Sequence, residues 1–223
     1  MIEPFEFIKF TDVDEPVIRI GKSKFLSYFG VFQDNLASDV VDMLDKHIAS
    51  SHNEIRSRIF DCIRTIEQMQ LGPALWLDID IIDGNGQPLS SYGWHRDYSF
   101  YDEWPSCVKI ACTITGEKTA FLSTSEYNRN IIQKYKDQRI DPDLPEDIFS
   151  NESIISPESN ELVVFNVDNG HPAIHSAPLD TRNRIFICSV VGPESGVRNL
   201  SRIWGEEDNY NILPSKQDNL LSL

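Results

Sequence analysis

Cysteine is scarce in this chain of 223 residues: Cys62, Cys107, Cys112 and Cys188 are the four present, and none forms a CxxC pair. That spacing excludes a zinc ribbon and a thioredoxin-type redox motif. A domain of this length buries roughly 70% of the surface its unfolded form exposes, so no disulfide scaffold is required. All four thiols are therefore expected to be reduced and mostly in the core. Basic residues are also few, with 20 Lys and Arg against 35 Asp and Glu, for a net charge of −15. The acid excess argues against a protein that binds nucleic acid or anionic lipid by charge. Long apolar runs are missing; the longest are about five residues, far from the ~20 of a membrane span. The opening MIEPFEFIKF is acidic where a signal peptide is basic. A soluble, cytoplasmic globular protein is expected. Neither a P-loop nor a GxSxG elbow is present.

What is present changes character along the chain. Phe5–Phe10 and Pro16–Ile20 read as short extended pieces. From Asn35, residues Leu36, Val40, Val41, Leu44 and Ile48 recur at helical spacing. Ser51 and Glu54 form a capping-box pattern before a second helix with Ile55, Ile59, Cys62, Ile63 and Ile66 on its apolar face. Leu71-Gly72-Pro73 ends it. Leu75, Leu77, Ile79 and Ile81 then alternate with Trp76, Asp78 and Asp80, as in a strand. Further strands are expected at Trp94–Ser99, Cys107–Thr115, Thr119–Ser123, Leu162–Val167 and Arg184–Val191. A short helix is expected at about Glu126–Lys136, then a polar loop or lid over Asp137–Asn160. The pattern predicts a mainly β, α+β domain over residues 1–202. Its helical buttress spans about 35–71 and packs outside a β sandwich or barrel at about 74–191. A loose tail from Ile203 to Leu223 follows. No internal repeat is visible.

Histidine numbers only five, and three lie in the strand-rich half. In Trp94-His95-Arg96-Asp97, residues two apart on a strand share a face, so His95 and Asp97 reach one point together. The protein-kinase reading of His95-Arg96-Asp97 fails, because Asp102 stands where that loop needs Asn and no Asp-Phe-Gly follows. A third ligand is either His171 or His175. A hairpin centred between Leu179 and Asp180 would pair His175 with Arg184 and put a guanidinium beside the imidazole. Two His and one carboxylate form the facial triad of non-haem iron oxygenases, and a nearby Arg suits capture of an organic carboxylate. Arg182 shares the face of Arg184 and is the other candidate anchor. Tyr92, Trp94, Tyr98, Phe100, Tyr101 and Trp104 crowd the first motif, as loop packing or as substrate contacts; Trp94, Tyr98, His171 and Arg182 are the weaker substrate-binding candidates. Lys109 is either solvent-facing or an aid to carboxylate binding.

His95-x-Asp97, His175 some eighty residues later and Arg184 nine residues beyond it resemble the Fe(II)- and 2-oxoglutarate-dependent dioxygenases. The resemblance covers Ala74 to Val191. It implies a double-stranded β-helix, or jelly roll, with helices outside. It implies that His95, Asp97 and His175 bind Fe(II), that Arg184 binds the far carboxylate of 2-oxoglutarate, and that ascorbate is a candidate reductant. It implies no catalytic residue beyond the metal ligands. Asp97, rather than Ala or Gly, implies oxygen transfer and not halogenation. The expected reaction is hydroxylation of a C–H bond in a small molecule or peptide, with O2 as co-substrate. Desaturation, cyclisation and epimerisation use the same site. Arg184 is not followed by the x-Ser common in that family, and His171 has the more usual spacing from Phe165. The competing readings are a cupin-like jelly roll that binds metal or sugar without activating oxygen, and a structural domain whose histidines only pack.

Overall fold

The computed structural model describes residues 5–15, 20, 24–44, 53–85, 94–95, 97, 107–123, 154–167 and 173–213. Helical spacing becomes two helices, α1 (Leu36–Leu44) and α2 (Asn53–Gln68). Their apolar stripes point inward: Leu36, Val40 and Leu44 from α1, and Ile55, Ile59, Cys62, Ile63 and Ile66 from α2, are all buried. Ser51 of the capping box and Ile48 lie outside the described residues.

The described residues form nine strands: β1 (Phe5–Lys9), β2 (Lys24–Val31), β3 (Ala74–Ile82), β4 (Val108–Thr115), β5 (Ala120–Leu122), β6 (Ile154–Ile155), β7 (Glu161–Asn166), β8 (His175–Ser176) and β9 (Arg184–Gly192). Six of them make an antiparallel sheet in the order β1-β7-β4-β9-β3-β2, and β6-β5-β8 make a small second sheet. The result is a β-rich α+β fold. Alternation along each strand sorts side chains to the two faces of the large sheet. Leu75, Leu77 and Ile79 of β3, Ile110, Cys112 and Ile114 of β4, and Ile185 and Ile187 of β9 share one apolar core with α1 and α2. The opposite face carries Ala111, Val163, Phe165 and Val190 in a second core. Phe121 of β5 enters that core from the small sheet, with its ring 5.3 Å from Phe165 and 5.2 Å from Phe5. The two sheets are thus joined by aromatic packing, and the cavity described below opens between them.

Arg58 fastens the helical layer to the strands. It is fully buried on α2 and donates to the carbonyls of Val13, at 2.6 Å, and Ser159. Beside it, Glu15 accepts from the Gly116 amide at 2.7 Å, Ser159 at 2.8 Å and Lys118 at 3.1 Å. These bonds tie a segment near the N-terminus to two connections of the β region.

The structure differs from the sequence reading in four places. β2 was not anticipated: Leu26 and Tyr28 are apolar on one face and Phe29 and Val31 on the other, so no polar alternation marks it. The hairpin pairing His175 with Arg184 does not form; β8 pairs with β5, while β9 is inserted between β3 and β4. The turn after Ser176 therefore carries the chain from one sheet to the other. A third helix, α3 (Glu194–Ile203), follows β9, with Val197 and Leu200 buried beside Phe29 and Ala74. The stretch expected as a loose tail is docked over 203–213: Tyr210 and Leu213 are buried, and the Asn211 amide donates to Phe29 O at 2.6 Å. Residues 214–223, the expected helix at 126–136 and residues 137–153 of the polar loop expected over Asp137–Asn160 lie outside the described residues, while the end of that loop carries β6. Among the described residues no helix is long and apolar enough to cross a membrane.

Candidate metal centre

His95 and His175 are brought together by backbone pairing. Each donates its amide to the other's carbonyl at 2.9 Å, a single antiparallel bridge that places the two imidazoles 4.4 Å apart, centre to centre. Asp97, two residues on from His95, returns to the same point. One ligand atom from each of His95, Asp97 and His175 can be chosen so that all lie within 4.8 Å of one another. Nearly eighty residues of sequence separate the two ends of this cluster, so only the strand pairing accounts for it.

The donor chemistry suits a divalent cation. His175 is 5% exposed, and burial pulls its pKa down to about 3 despite the opposing pull of Asp97. The ring is therefore neutral near pH 7, which metal ligation requires. Its Nδ1 lies 3.3 Å from the Ala173 carbonyl, an acceptor for a proton on that nitrogen, and a ring in that tautomer presents its Nε2 lone pair on the side of Asp97, whose Oδ2 is 3.5 Å away. Burial pushes the Asp97 carboxyl up, but the Lys109 ammonium bonded to it outweighs that and holds the group ionised, well below the usual carboxylate range. Lys109 on β4 donates to Asp97 Oδ2 at 2.6 Å and lies 5.8 Å from the centre of the Phe165 ring. A carboxylate has two oxygens, so this pairing leaves acceptor capacity for a cation.

Beside the cluster is a cavity of about 240 Å³, whose walls include His95, Asp97, Lys109, Phe165, His175 and Arg184. Arg184 is 1% exposed. Its guanidinium lies 4.1 Å from the centre of the Phe186 ring, and it donates through Nε to Glu117 O at 3.0 Å and through Nη2 to Thr119 Oγ1 at 3.2 Å. Burial draws its pKa down to about 10, with Asp80 opposing, so it remains a cation near pH 7. Arg184 and His175 thus face the same cavity from opposing sheets, without the hairpin that the sequence suggested.

The remaining sequence candidates divide. Arg182 points away from the site: it is an exposed turn residue paired with Asp180 at 2.5 Å, so proximity to Arg184 in sequence does not bring it to the cavity. Trp94 is half-buried and is not part of the cavity wall. Tyr98 and His171 lie outside the described residues, as do Tyr92, Phe100, Tyr101 and Trp104. Lys109 is not solvent-facing; its side chain is only 15% exposed. Two residues were missed as site groups, Asp78 and Asp80. They occupy the polar phase of β3 and read as its solvent side, but the large sheet is covered on both faces. Asp78 is 8% exposed, and its Oδ1 has no hydrogen-bond partner. Burial raises both carboxyls above the usual range; Asp80 further raises Asp78, whereas Arg184 opposes the shift at Asp80.

No family model and no curated protein matches the chain. Among solved structures, it is similar to iron-bound HygX from Streptomyces hygroscopicus, at 13% identity over 77% of this chain and 83% of that one, with a TM-score of 0.33. It is also similar to AtDAO1, the dioxygenase for auxin oxidation 1 of Arabidopsis thaliana, in its 2-oxoglutarate complex. There the identity is 10% over 79% of this chain and 68% of that one, with a TM-score of 0.32.

Proposed function

We propose that the protein is an Fe(II)- and 2-oxoglutarate-dependent oxygenase that hydroxylates a C–H bond of a small molecule or peptide. The observation that carries this reading is the convergence of His95, Asp97 and His175 at the edge of a cavity that also holds the buried Arg184 cation. Two imidazole nitrogens and one carboxylate form the ligand set of a facial triad with open positions. In this reading the two sheets facing each other across the cavity are the halves of a double-stranded β-helix.

His95, Asp97 and His175 would hold the iron, which when bound couples oxidative decarboxylation of the 2-oxo acid to oxidation of a substrate C–H bond. The chain's own part is positioning and shielding. Arg184, stacked on Phe186 and bonded to Glu117 and Thr119, keeps a fixed fork for the far carboxylate of 2-oxoglutarate. Lys109 holds Asp97 in place, and the Ala173 carbonyl fixes the His175 tautomer. Phe165 and Phe186 supply apolar wall that limits water in the cavity.

Anaerobic titration of metal-free protein with Fe(II) and then 2-oxoglutarate tests the proposal. A weak visible charge-transfer band that needs both additions is expected, followed by succinate release once O2 and a substrate are supplied. Metal binding without a band would move the assignment to a cupin-like binding module.

A further inference from the structure

Two carboxyls of β3, Asp78 and Asp80, are not closed by an ion pair among the described residues. Asp78 and Asp80 project from the same face of β3, and Asp80 forms part of the cavity wall. Two cations are nearby, but both have partners: Lys109 is bonded to Asp97, and Arg184 to Glu117 O and Thr119 Oγ1. Among the described residues no ion pair closes on either aspartate, and Asp78 Oδ1 is buried without any partner. A carboxylate removed from water without a hydrogen bond or counter-ion is costly. β3 bears this cost at Asp80, on the cavity wall, and at the buried Asp78 on the same face of the strand, where apolar residues would have packed. Buried polar groups left unsatisfied in the free protein are what a site for a complementary polar ligand looks like before it is filled.

We propose that Asp78 and Asp80 form a subsite for a protonated amine carried by the substrate, which approaches across the Asp80 wall of the cavity. The chemistry favours a compact ammonium over an anion or a neutral group. An ammonium offers three donors to two carboxyls, and its charge draws both into the ionised, acceptor-only form. Phe186, opposite Asp80 in the β3–β9 register and also on the cavity wall, gives the carbon stem of such a group an apolar surface. Asp97 is not part of this subsite, because Lys109 neutralises it. The inference rests on the oxygenase reading in assigning the amine to that enzyme's substrate, but binding of the amine is read independently of the metal.

The test uses the full chain and two probes of similar shape, butylamine and 1-butanol. Affinity for each is measured by ligand-observed NMR at pH 7, in metal-free protein and in protein loaded with Mn(II) and 2-oxoglutarate. Butylamine is expected to bind at least about tenfold more tightly than butanol, and the Asp78→Asn/Asp80→Asn variant is expected to lose that preference while binding Mn(II) normally. Should the double variant fail to fold, Asp80→Asn alone is required to reduce the preference. Equal affinity for the two probes, or a preference that survives in the folded variants, overturns the proposal. Mn(II) and 2-oxoglutarate binding without amine preference defeats this inference alone. Amine preference in a protein that binds no metal leaves the subsite standing and defeats the oxygenase reading.

Discussion

Replacing Arg184 by Lys separates charge from shape at the proposed co-substrate anchor. The native guanidinium uses Nε and one Nη2 proton on Glu117 O and Thr119 Oγ1, so other donors on Nη1 and Nη2 remain for a ligand carboxylate. Lysine keeps the positive charge but cannot present two parallel donors, and it loses the stacking on Phe186, now 4.1 Å away. A hydrogen bond to a charged group contributes about 1.5–3 kcal/mol, so losing one of two should weaken 2-oxoglutarate binding about tenfold to a hundredfold. Calorimetric titration of the Mn(II)-loaded variant reads this directly, with circular dichroism and Mn(II) affinity as controls. Removing the guanidinium also strips partners from Glu117 O and Thr119 Oγ1, so some loss of thermal stability is expected. Unchanged 2-oxoglutarate affinity in a folded, metal-binding Arg184→Lys protein would refute the anchor assignment.

Three other perturbations probe the architecture. Asp78→Asn should stabilise the protein at pH 7 by about 1–3 kcal/mol, read as a rise in Tm. Burial and Asp80 raise the folded pKa of Asp78 above its unfolded value of 3.8, so between those two pKa values the folded state keeps a proton that the unfolded chain has released. The wild type therefore loses stability as pH climbs from about 4 towards that folded pKa. The gain from Asn should accordingly shrink towards pH 4, and a variant less stable than wild type at pH 7 would contradict the argument. Phe121→Ala should cost about 3–5 kcal/mol in chemical denaturation, because this fully buried ring joins β1, β7 and His175 across the two sheets; a loss under 1 kcal/mol would show that the sheets are held otherwise. Gly116→Ala should lower Tm and weaken 2-oxoglutarate binding together. Gly116 has φ +92°, and an added Cβ would lie 3.0 Å from the Arg184 Cα. Wild-type values for both would argue against that close packing.

How much of this was legible in the sequence depended on whether an element meets the core on one side or two. α2 is covered on one face, and all five residues of its apolar stripe proved buried. β3 showed its period clearly, yet alternation alone did not tell that the phase with Asp78 and Asp80 is also covered, because both faces of the sheet carry a core. β2, apolar on both faces, gave no alternation to read. His95 and Asp97 were legible because a two-residue spacing on extended chain shares a face. The meeting of His175 with Arg184 at one cavity was anticipated through the wrong geometry: local sequence suggested a hairpin, whereas pairing of β9 with β3 and β4 took Arg184 into the other sheet. That pairing is non-local, and no turn signal encodes it. The role of Lys109 was likewise hidden, because its partner Asp97 is twelve residues away and no local pattern links the two.

The central claim is that three side chains distant in sequence hold one metal ion. Mn(II) binding followed by electron paramagnetic resonance, in wild type and in His95→Ala, Asp97→Asn and His175→Ala, tests it most directly. The account predicts one tightly bound Mn(II) per chain in the wild type and loss of that binding in each folded variant. A wild type that binds no metal, or a His95→Ala protein that binds it with native affinity, would contradict it.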